Sequence, residues 1–231
     1  MNDSKLLSIQ VGLPADHTDA DLSAHRNPTW QSGIFKFPVS GRVHVGKINL
    51  AGDGQADLRV HGGEYRAALA YSAEHYDTWR AELDRPDFPF GAFGENLTVT
   101  QLDENTVYMG DVYQIGDTVR LQVTQPRMPC WKLARRHDIK DLAARVEEKN
   151  WGGWYHRVLV EGEIEAGMPV TLIERVQDRY TIAMTVAVIS EKVSDDEVLR
   201  RAAGELAEFE FITPRWRMQL GGIAASEPEA R

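Results

Sequence analysis

The sequence has little cysteine, no long apolar run and no excess of positive charge. Cys130 is the single cysteine among 231 residues, so no internal disulfide can form, and we expect a reducing compartment, the cytoplasm. No stretch reaches the roughly 18 uncharged apolar residues of a membrane span, and residues 1–5 lack the features of a secretory signal. The 26 Lys and Arg residues against 35 Asp and Glu residues give a net charge of −9, which argues against a general binder of nucleic acid or of anionic membranes.

Several motifs that indicate a reaction class are also missing. The chain has no G-x-x-x-x-G-K-[ST] loop, no G-x-G-x-x-G after a strand, no H-E-x-x-H, no C-x-x-C and no G-x-S-x-G. These absences argue against P-loop nucleotide hydrolysis, a Rossmann cofactor, a standard zinc site and a serine hydrolase.

Positive charge is concentrated in one window of this acidic chain. Residues 118–137 contain no Asp or Glu but include Arg120, Arg127, Lys132, Arg135 and Arg136. The window carries +5 and the rest of the chain −14. Such a window indicates either a solvated helix face or a site for an anion, and the only cysteine lies inside it.

The hydrophobic pattern predicts a mainly β (α+β) protein. Residues 1–176 contain many short apolar runs separated by Gly-Asp and Pro turns, with two amphipathic helices. Closely spaced short strands favour a closed or nearly closed β-barrel with helical insertions. Residues 177–231 change to helical spacing and predict a small three-helix domain with a frayed tail.

Individual residues predict where some elements begin and end. Ser72 is the expected N-cap of the first helix, and Ser194 with Glu197 forms a capping box for a later one. Pro214 is the expected first residue of the last helix, which Gly221-Gly222 ends. The polar residues 13–26 predict a loop, and residues 107–112 predict a strand.

Cys130 and His61 are the candidate reactive residues. Nearby cations favour the thiolate, which is a nucleophile and a soft metal ligand, and Pro126 and Pro129 restrict the backbone beside Cys130. His61 precedes Gly62-Gly63, where a histidine can transfer protons near neutral pH. A buried inert cysteine and a merely exposed histidine remain the alternatives.

Other motifs have equally simple alternative interpretations. Gly94-Glu95-Asn96 either orients a ligand or forms a turn, and the aromatic run 151–155 either walls a pocket or packs in the core. Asp53 and Gln55 lie in a glycine-rich loop without the spacing of an EF-hand, and we expect them to hydrogen-bond backbone groups.

Four segments, taken in order, resemble the signatures of one family. They are Gly52-Asp53-Gly54-Gln55-Ala56-Asp57-Leu58 with His61-Gly62-Gly63, Gly94-Glu95-Asn96-Leu97-Thr98, Gln125-Pro126-Arg127 with Pro129-Cys130 and Lys132-Leu133, and Gly153-Trp154-Tyr155 with Arg157-Val158-Leu159. This arrangement resembles the MOSC domain, the C-terminal domain of molybdenum cofactor sulfurase, in its bacterial YiiM-like branch. Thr213-Pro214-Arg215-Trp216-Arg217 resembles the 3-alpha domain that often follows it.

The resemblance implies a β-barrel that binds the molybdenum cofactor (molybdopterin), with Cys130 as the protein ligand to the metal. It also implies reduction of N-hydroxylated compounds, including hydroxylaminopurine base analogues, with electrons from a flavoprotein partner. Arg127, Lys132, Arg157, Gln125 and Asn96 are then the expected cofactor-binding residues, and His61 delivers protons. Arginine suits the cofactor's phosphate because it binds oxyanions bidentately.

Departures from the family's pattern concern the expected substrate preference. Tyr65-Arg66 follows the His-Gly-Gly motif where Asp-Lys is frequent, so the charge at 66 is kept and the acid at 65 is lost. Two other functions remain open, a cofactor or sulfur carrier without turnover and a hydrolase or transferase that uses Cys130 with His61. A small-molecule substrate and a possible homodimer complete the expectations.

Overall fold

The computed structural model describes residues 3–19, 21, 26–58, 61–190 and 196–226. Its strands are β1 Leu6–Val11, β2 Ala15–Thr18, β3 Thr29–Ser32, β4 Phe37–Pro38, β5 Val43–Val45, β6 Ala68–Ser72, β7 Leu97–Val99, β8 Val112–Ile115, β9 Val119–Pro126, β10 Trp154–Val160, β11 Gly162–Ile164 and β12 Val170–Glu174. Its α-helices are α1 His75–Glu82, α2 Trp131–His137, α3 Leu142–Glu148, α4 Ile182–Ser190, α5 Glu197–Ala207 and α6 Pro214–Ala224. No helix in these ranges is long and apolar enough to cross a membrane.

Eight of the strands form one mixed sheet in the order β12-β8-β9-β10-β6-β7-β1-β4. Every pair is antiparallel except β6 with β7. The segment before β12 approaches the start of β1, where Leu6 N donates to Met168 O at 2.9 Å and Val170 N to Ser4 O at 2.9 Å. This contact is short and does not continue as a strand ladder, so the α+β architecture is observed and the closed barrel is not confirmed.

Two apolar clusters hold the molecule together. The larger one contains buried residues from most strands of the sheet and also includes Tyr180, Ile182, Phe211 and Trp216 from the C-terminal helical part. The predicted division between residues 176 and 177 stays a prediction, since the two parts share this cluster. The smaller cluster is rich in aromatic side chains and joins α1 to α2 and α3. It holds α2, the helix that follows Cys130.

Three predicted elements are wrong in position. Ser72 is not a helix cap, because it ends the buried strand β6, and its hydroxyl donates to the Glu74 carboxylate at 2.7 Å. The predicted loop at 13–26 contains β2, which pairs with β3. Both strands are largely exposed and polar, so they lack the alternation that marks a half-buried strand. The strand predicted at 107–112 is instead β8, which begins at the last of these residues.

The helix signals in the C-terminal part are confirmed in one place and wrong in another. Thr213 caps α6 by accepting from Trp216 N at 3.2 Å, and Pro214 is its first residue, as predicted. Gly221-Gly222 does not end this helix, because neither glycine there has a positive φ and α6 continues to Ala224. Asp196 caps α5, while Ser194 lies outside the described residues.

Candidate functional site

Cys130 lies where the chain leaves the sheet and enters α2. Strand β9 ends at Pro126, and Cys130 has extended backbone angles (φ −126°, ψ 165°) immediately before the helix. Leu133, one turn into α2, is fully buried in the aromatic-rich cluster and anchors the helix. The thiol is half-buried and free, and it faces a pocket, so the interpretation as an inert core cysteine is disfavoured.

The pocket beside Cys130 is electropositive. It encloses about 680 Å³ of empty space including its mouth. Four cationic residues line it, Lys36, Arg66, Arg127 and Lys132, and within the described ranges no carboxylate does. A cavity with several cations and low-polarity walls attracts an anion, because the field of the charges is poorly screened there.

Arg127 is the most informative of these cations. It is 7% exposed, and its Nη2 donates to the carbonyl of Phe93 at 3.1 Å. Its Nη1 is buried and has no hydrogen-bond partner among the described residues. An unsatisfied buried guanidinium nitrogen costs free energy, and an oxyanion in the pocket would recover it with a charge-assisted hydrogen bond.

Lys36 has its own counter-ion at the wall of the pocket. Its buried ammonium group pairs with the Asp53 carboxylate, which also accepts from Gly12 N at 3.0 Å. Burial lowers the pKa of Lys36, and Asp53 opposes that effect. Asp53 therefore works as the buried partner of a cation as well as a loop residue, and Lys36 adds less net charge to the pocket than Lys132 does.

His61 enters the pocket in a cationic environment. Its pKa is lowered first by burial and then by the positive charges of Lys132 and Arg127. The imidazole is therefore neutral near pH 7 and exchanges hydrogen bonds as a neutral ring. In the described part of the chain, no hydrogen bond joins His61 to the Cys130 thiol, as a nucleophile and its base would require.

Three predicted cofactor-binding residues either lie outside the pocket lining or use their side chains for other contacts. Asn96 lines the pocket, but its side chain accepts from Leu69 N at 3.1 Å and donates to Gln10 O at 3.2 Å, so it ties neighbouring strands together. Gln125 is buried opposite Tyr155 and does not line the pocket. Arg157 donates to Gln122 Oε1 at 2.9 Å and is also outside the lining.

The cations of residues 118–137 fall into two groups, those that line the pocket and those that contact other parts of the chain. Arg127 and Lys132 reach the pocket, and Lys132 also donates to Gln31 O at 2.8 Å. Arg135 contacts Asp19, and Arg136 donates to two backbone carbonyls beside the pocket wall. Arg120 contacts Gln114 on the neighbouring strand β8. Only part of the local charge that the sequence predicted as one group therefore serves the site.

Three ionisable residues of the pocket lining were not predicted as site residues, namely Lys36, Arg66 and Tyr155. Each comes from a different strand or loop, so no short sequence window brings them together. Signals were present for two of them, because Arg66 follows the His-Gly-Gly motif closely and Tyr155 ends the aromatic run 151–155. Burial raises the pKa of Tyr155, so its hydroxyl stays protonated and able to donate.

Comparisons with known proteins define the family. A model of the MOSC domain matches residues 57–171. Protein YiiM of Escherichia coli (strain K12) is 38% identical over 172 residues, which are 74% of this chain and 76% of YiiM. The crystal structure of YiiM from Geobacillus stearothermophilus has a TM-score of 0.76 at 32% identity and covers 96% of this chain and 100% of that one. The chain therefore belongs to the MOSC domain family.

A further relative carries a name that indicates an activity. It is called Reductase, from Gibberella moniliformis (strain M3125 / FGSC 7600), and is 37% identical over 160 residues. The match takes in 68% of this chain and 28% of that protein. The similarity to a reductase thus concerns one part of a longer protein.

Proposed function

We propose that this protein reduces N-hydroxylated compounds with a bound molybdenum cofactor, a pterin with a terminal phosphate and a dithiolene-bound metal. MOSC membership and the reductase-named relative support a redox enzyme. The observation that carries the proposal is the half-buried Cys130 thiol in a pocket where a buried nitrogen of Arg127 has no hydrogen-bond partner in the described part of the chain.

The residues of the pocket suit the chemistry of this cofactor. A thiolate is a soft ligand for the metal, and Cys130 is the only cysteine of the chain. Arg127, Arg66 and Lys132 would hold the phosphate, since guanidinium and ammonium groups bind oxyanions with charge-assisted hydrogen bonds. The Tyr155 hydroxyl is a further donor toward the pterin.

Reduction of R–NH–OH to R–NH₂ and water consumes a pair of electrons and a pair of protons. The bound cofactor supplies the electron transfer, and a flavoprotein partner in the cytoplasm is the proposed source of those electrons. The chain orients the substrate and handles protons. We assign to His61 a hydrogen bond to the hydroxylamino group, because a neutral imidazole both donates and accepts.

A carrier that holds the cofactor without turnover would use the same pocket, so activity must be measured directly. The purified chain from a cofactor-producing host is given a chemically reduced donor dye and 6-hydroxylaminopurine, and adenine is quantified by chromatography. We expect adenine from the wild type and none from Cys130→Ala. Arg120→Met is the matched control, because it removes a cation of the same window outside the pocket.

Three outcomes contradict the proposal in different ways. A molybdenum-loaded wild type that forms no adenine indicates a carrier. A wild type without molybdenum from a competent host contradicts the cofactor itself. Adenine formation by Cys130→Ala at the wild-type rate would also refute the assignment of Cys130.

A further inference from the structure

Glu104 and His75 form a buried carboxylate–imidazole pair outside the pocket lining, and no step of the proposed reaction uses this pair. Glu104 is 1% exposed and His75 6% exposed, and Nε2 of His75 is 2.7 Å from Oε2 of Glu104. Trp151 stacks on the imidazole with ring centroids 4.0 Å apart and planes 9° apart. Among apolar and aromatic neighbours, this carboxylate costs desolvation free energy that an apolar pair of similar size would not.

The other oxygen of Glu104 connects the pair to the pocket. Oε1 of Glu104 accepts from Gly153 N at 2.8 Å. The carbonyl of Gly153 in turn accepts from Arg127 N at 3.0 Å. A continuous path of hydrogen bonds therefore runs from His75 through Glu104 and Gly153 to the backbone of Arg127.

The glycines on this path make the contact close. A Cβ atom at Gly152 would lie 2.0 Å from the carbonyl oxygen of Arg127, and Gly153 has φ +78°. The Gly152-Gly153 segment thus lies directly against the Arg127 backbone, and the hydrogen bond from Gly153 N to Glu104 ties Glu104 to this segment. Tyr155, two residues further along β10, lines the same pocket.

We propose that Glu104, paired with His75, is a positioning residue that fixes Arg127 for an anionic ligand. The inference rests on the proposed function, because it assumes that the guanidinium of Arg127 binds the phosphate of the cofactor. Binding of a phosphate by a guanidinium depends on its placement to within a fraction of an ångström, so the anchor affects affinity without touching the ligand. This role also accounts for a buried hydrogen-bond acceptor that the aromatic packing alone does not require.

The test measures binding of inorganic pyrophosphate by isothermal titration calorimetry to the full chain, purified from a host that cannot make the cofactor. We expect Glu104→Ala to raise the Kd by about tenfold or more at an unchanged number of sites per folded chain. Glu104→Gln keeps an acceptor for Gly153 N and should stay near the wild-type Kd. If Glu104→Ala does not fold, Glu104→Asp takes its place. The shorter aspartate side chain cannot reach both His75 and Gly153 N, so this variant should also raise the Kd.

Asp111→Asn is the matched control for a general loss of stability. Asp111 is an equally buried carboxylate, paired with Arg175 and Tyr113 away from the pocket, and its variant should bind pyrophosphate as the wild type does. A wild-type Kd in Glu104→Ala, or an equal rise in Asp111→Asn, overturns the positioning role. A wild type that binds no pyrophosphate contradicts the anion site of the proposed function and the inference with it.

Discussion

Replacing Arg127 with Met should weaken anion binding strongly while it changes the stability of the folded chain little. The guanidinium is almost completely buried, and one of its nitrogens has no hydrogen-bond partner within the described ranges, so the cofactor-free protein bears a desolvation cost that an apolar side chain avoids. Against this, the variant loses the hydrogen bond from Nη2 to Phe93 O, worth about 1–3 kcal/mol when a charged donor is involved. The two effects oppose each other, so the free energy of unfolding of the cofactor-free chain should change by no more than about 1 kcal/mol.

Ligand binding should respond very differently. A buried charge-assisted contact to an oxyanion contributes about 1.5–3 kcal/mol, and its loss corresponds to roughly a tenfold to hundredfold rise in Kd. Urea unfolding gives the first quantity, and calorimetric titration with inorganic pyrophosphate gives the second. Both are measured on the same cofactor-free preparation.

Arg120→Met is the control, because it removes an arginine of strand β9, which leads into Arg127, at a position outside the pocket. It should change neither quantity appreciably. If Arg127→Met instead destabilises the chain strongly and binds pyrophosphate like the wild type, Arg127 is a structural residue and the reasoning about its free nitrogen is refuted.

Two predictions concern the fold itself. Burial lowers the pKa of His156 from 6.5 to about 4, so the unfolded chain takes up this proton first and stability falls as pH falls from 6.5 toward 4. At pH 5 the free energy of unfolding, measured with urea, should be about 2 kcal/mol lower because of His156. His156→Gln should lack this part of the pH dependence, and an equal pH dependence in both proteins would contradict the prediction. Gly152→Ala should lower Tm sharply because of the Arg127 carbonyl, whereas Gly222→Ala, with open space around it, should match or exceed the wild-type Tm. Equal melting of the two variants would refute this.

The sequence was sufficient to bring together the candidate reactive residues of one pocket. A single cysteine preceded by two prolines, inside a window without acids, pointed to Cys130, Arg127 and Lys132, and all three line one pocket. His61, singled out for its position before two glycines, lies there as well. These signals are local, because the residues that carry them are close in the chain.

The remaining site residues depend on tertiary structure. Lys36, Arg66 and Tyr155 reach the pocket from separate segments that only strand pairing brings together. A count of charges along the chain also does not tell which face of the molecule a side chain occupies. Arg135 and Arg136 were therefore counted in the same basic window as Arg127, although they donate to backbone carbonyls and Arg135 contacts Asp19.

The difference between local sequence signals and tertiary packing also explains the errors in predicted secondary structure. Helix starts with a strong local signal, such as Thr213-Pro214, were predicted correctly. Ser72 was misassigned, because burial of β6 between β10 and β7 outweighs the capping preference of serine. A buried strand between two others is a property of the sheet and has no capping residue to mark it.

The most direct test of the account is the molybdenum content of the purified chain. Wild type, Cys130→Ala and Arg120→Met are expressed in a host that makes the cofactor, and the metal is measured by mass spectrometry against protein concentration. The account predicts about one molybdenum per chain in the wild type and the control and almost none in Cys130→Ala, because the variant has no thiolate left to bind the metal. Full loading of Cys130→Ala, or an empty wild type, would contradict it.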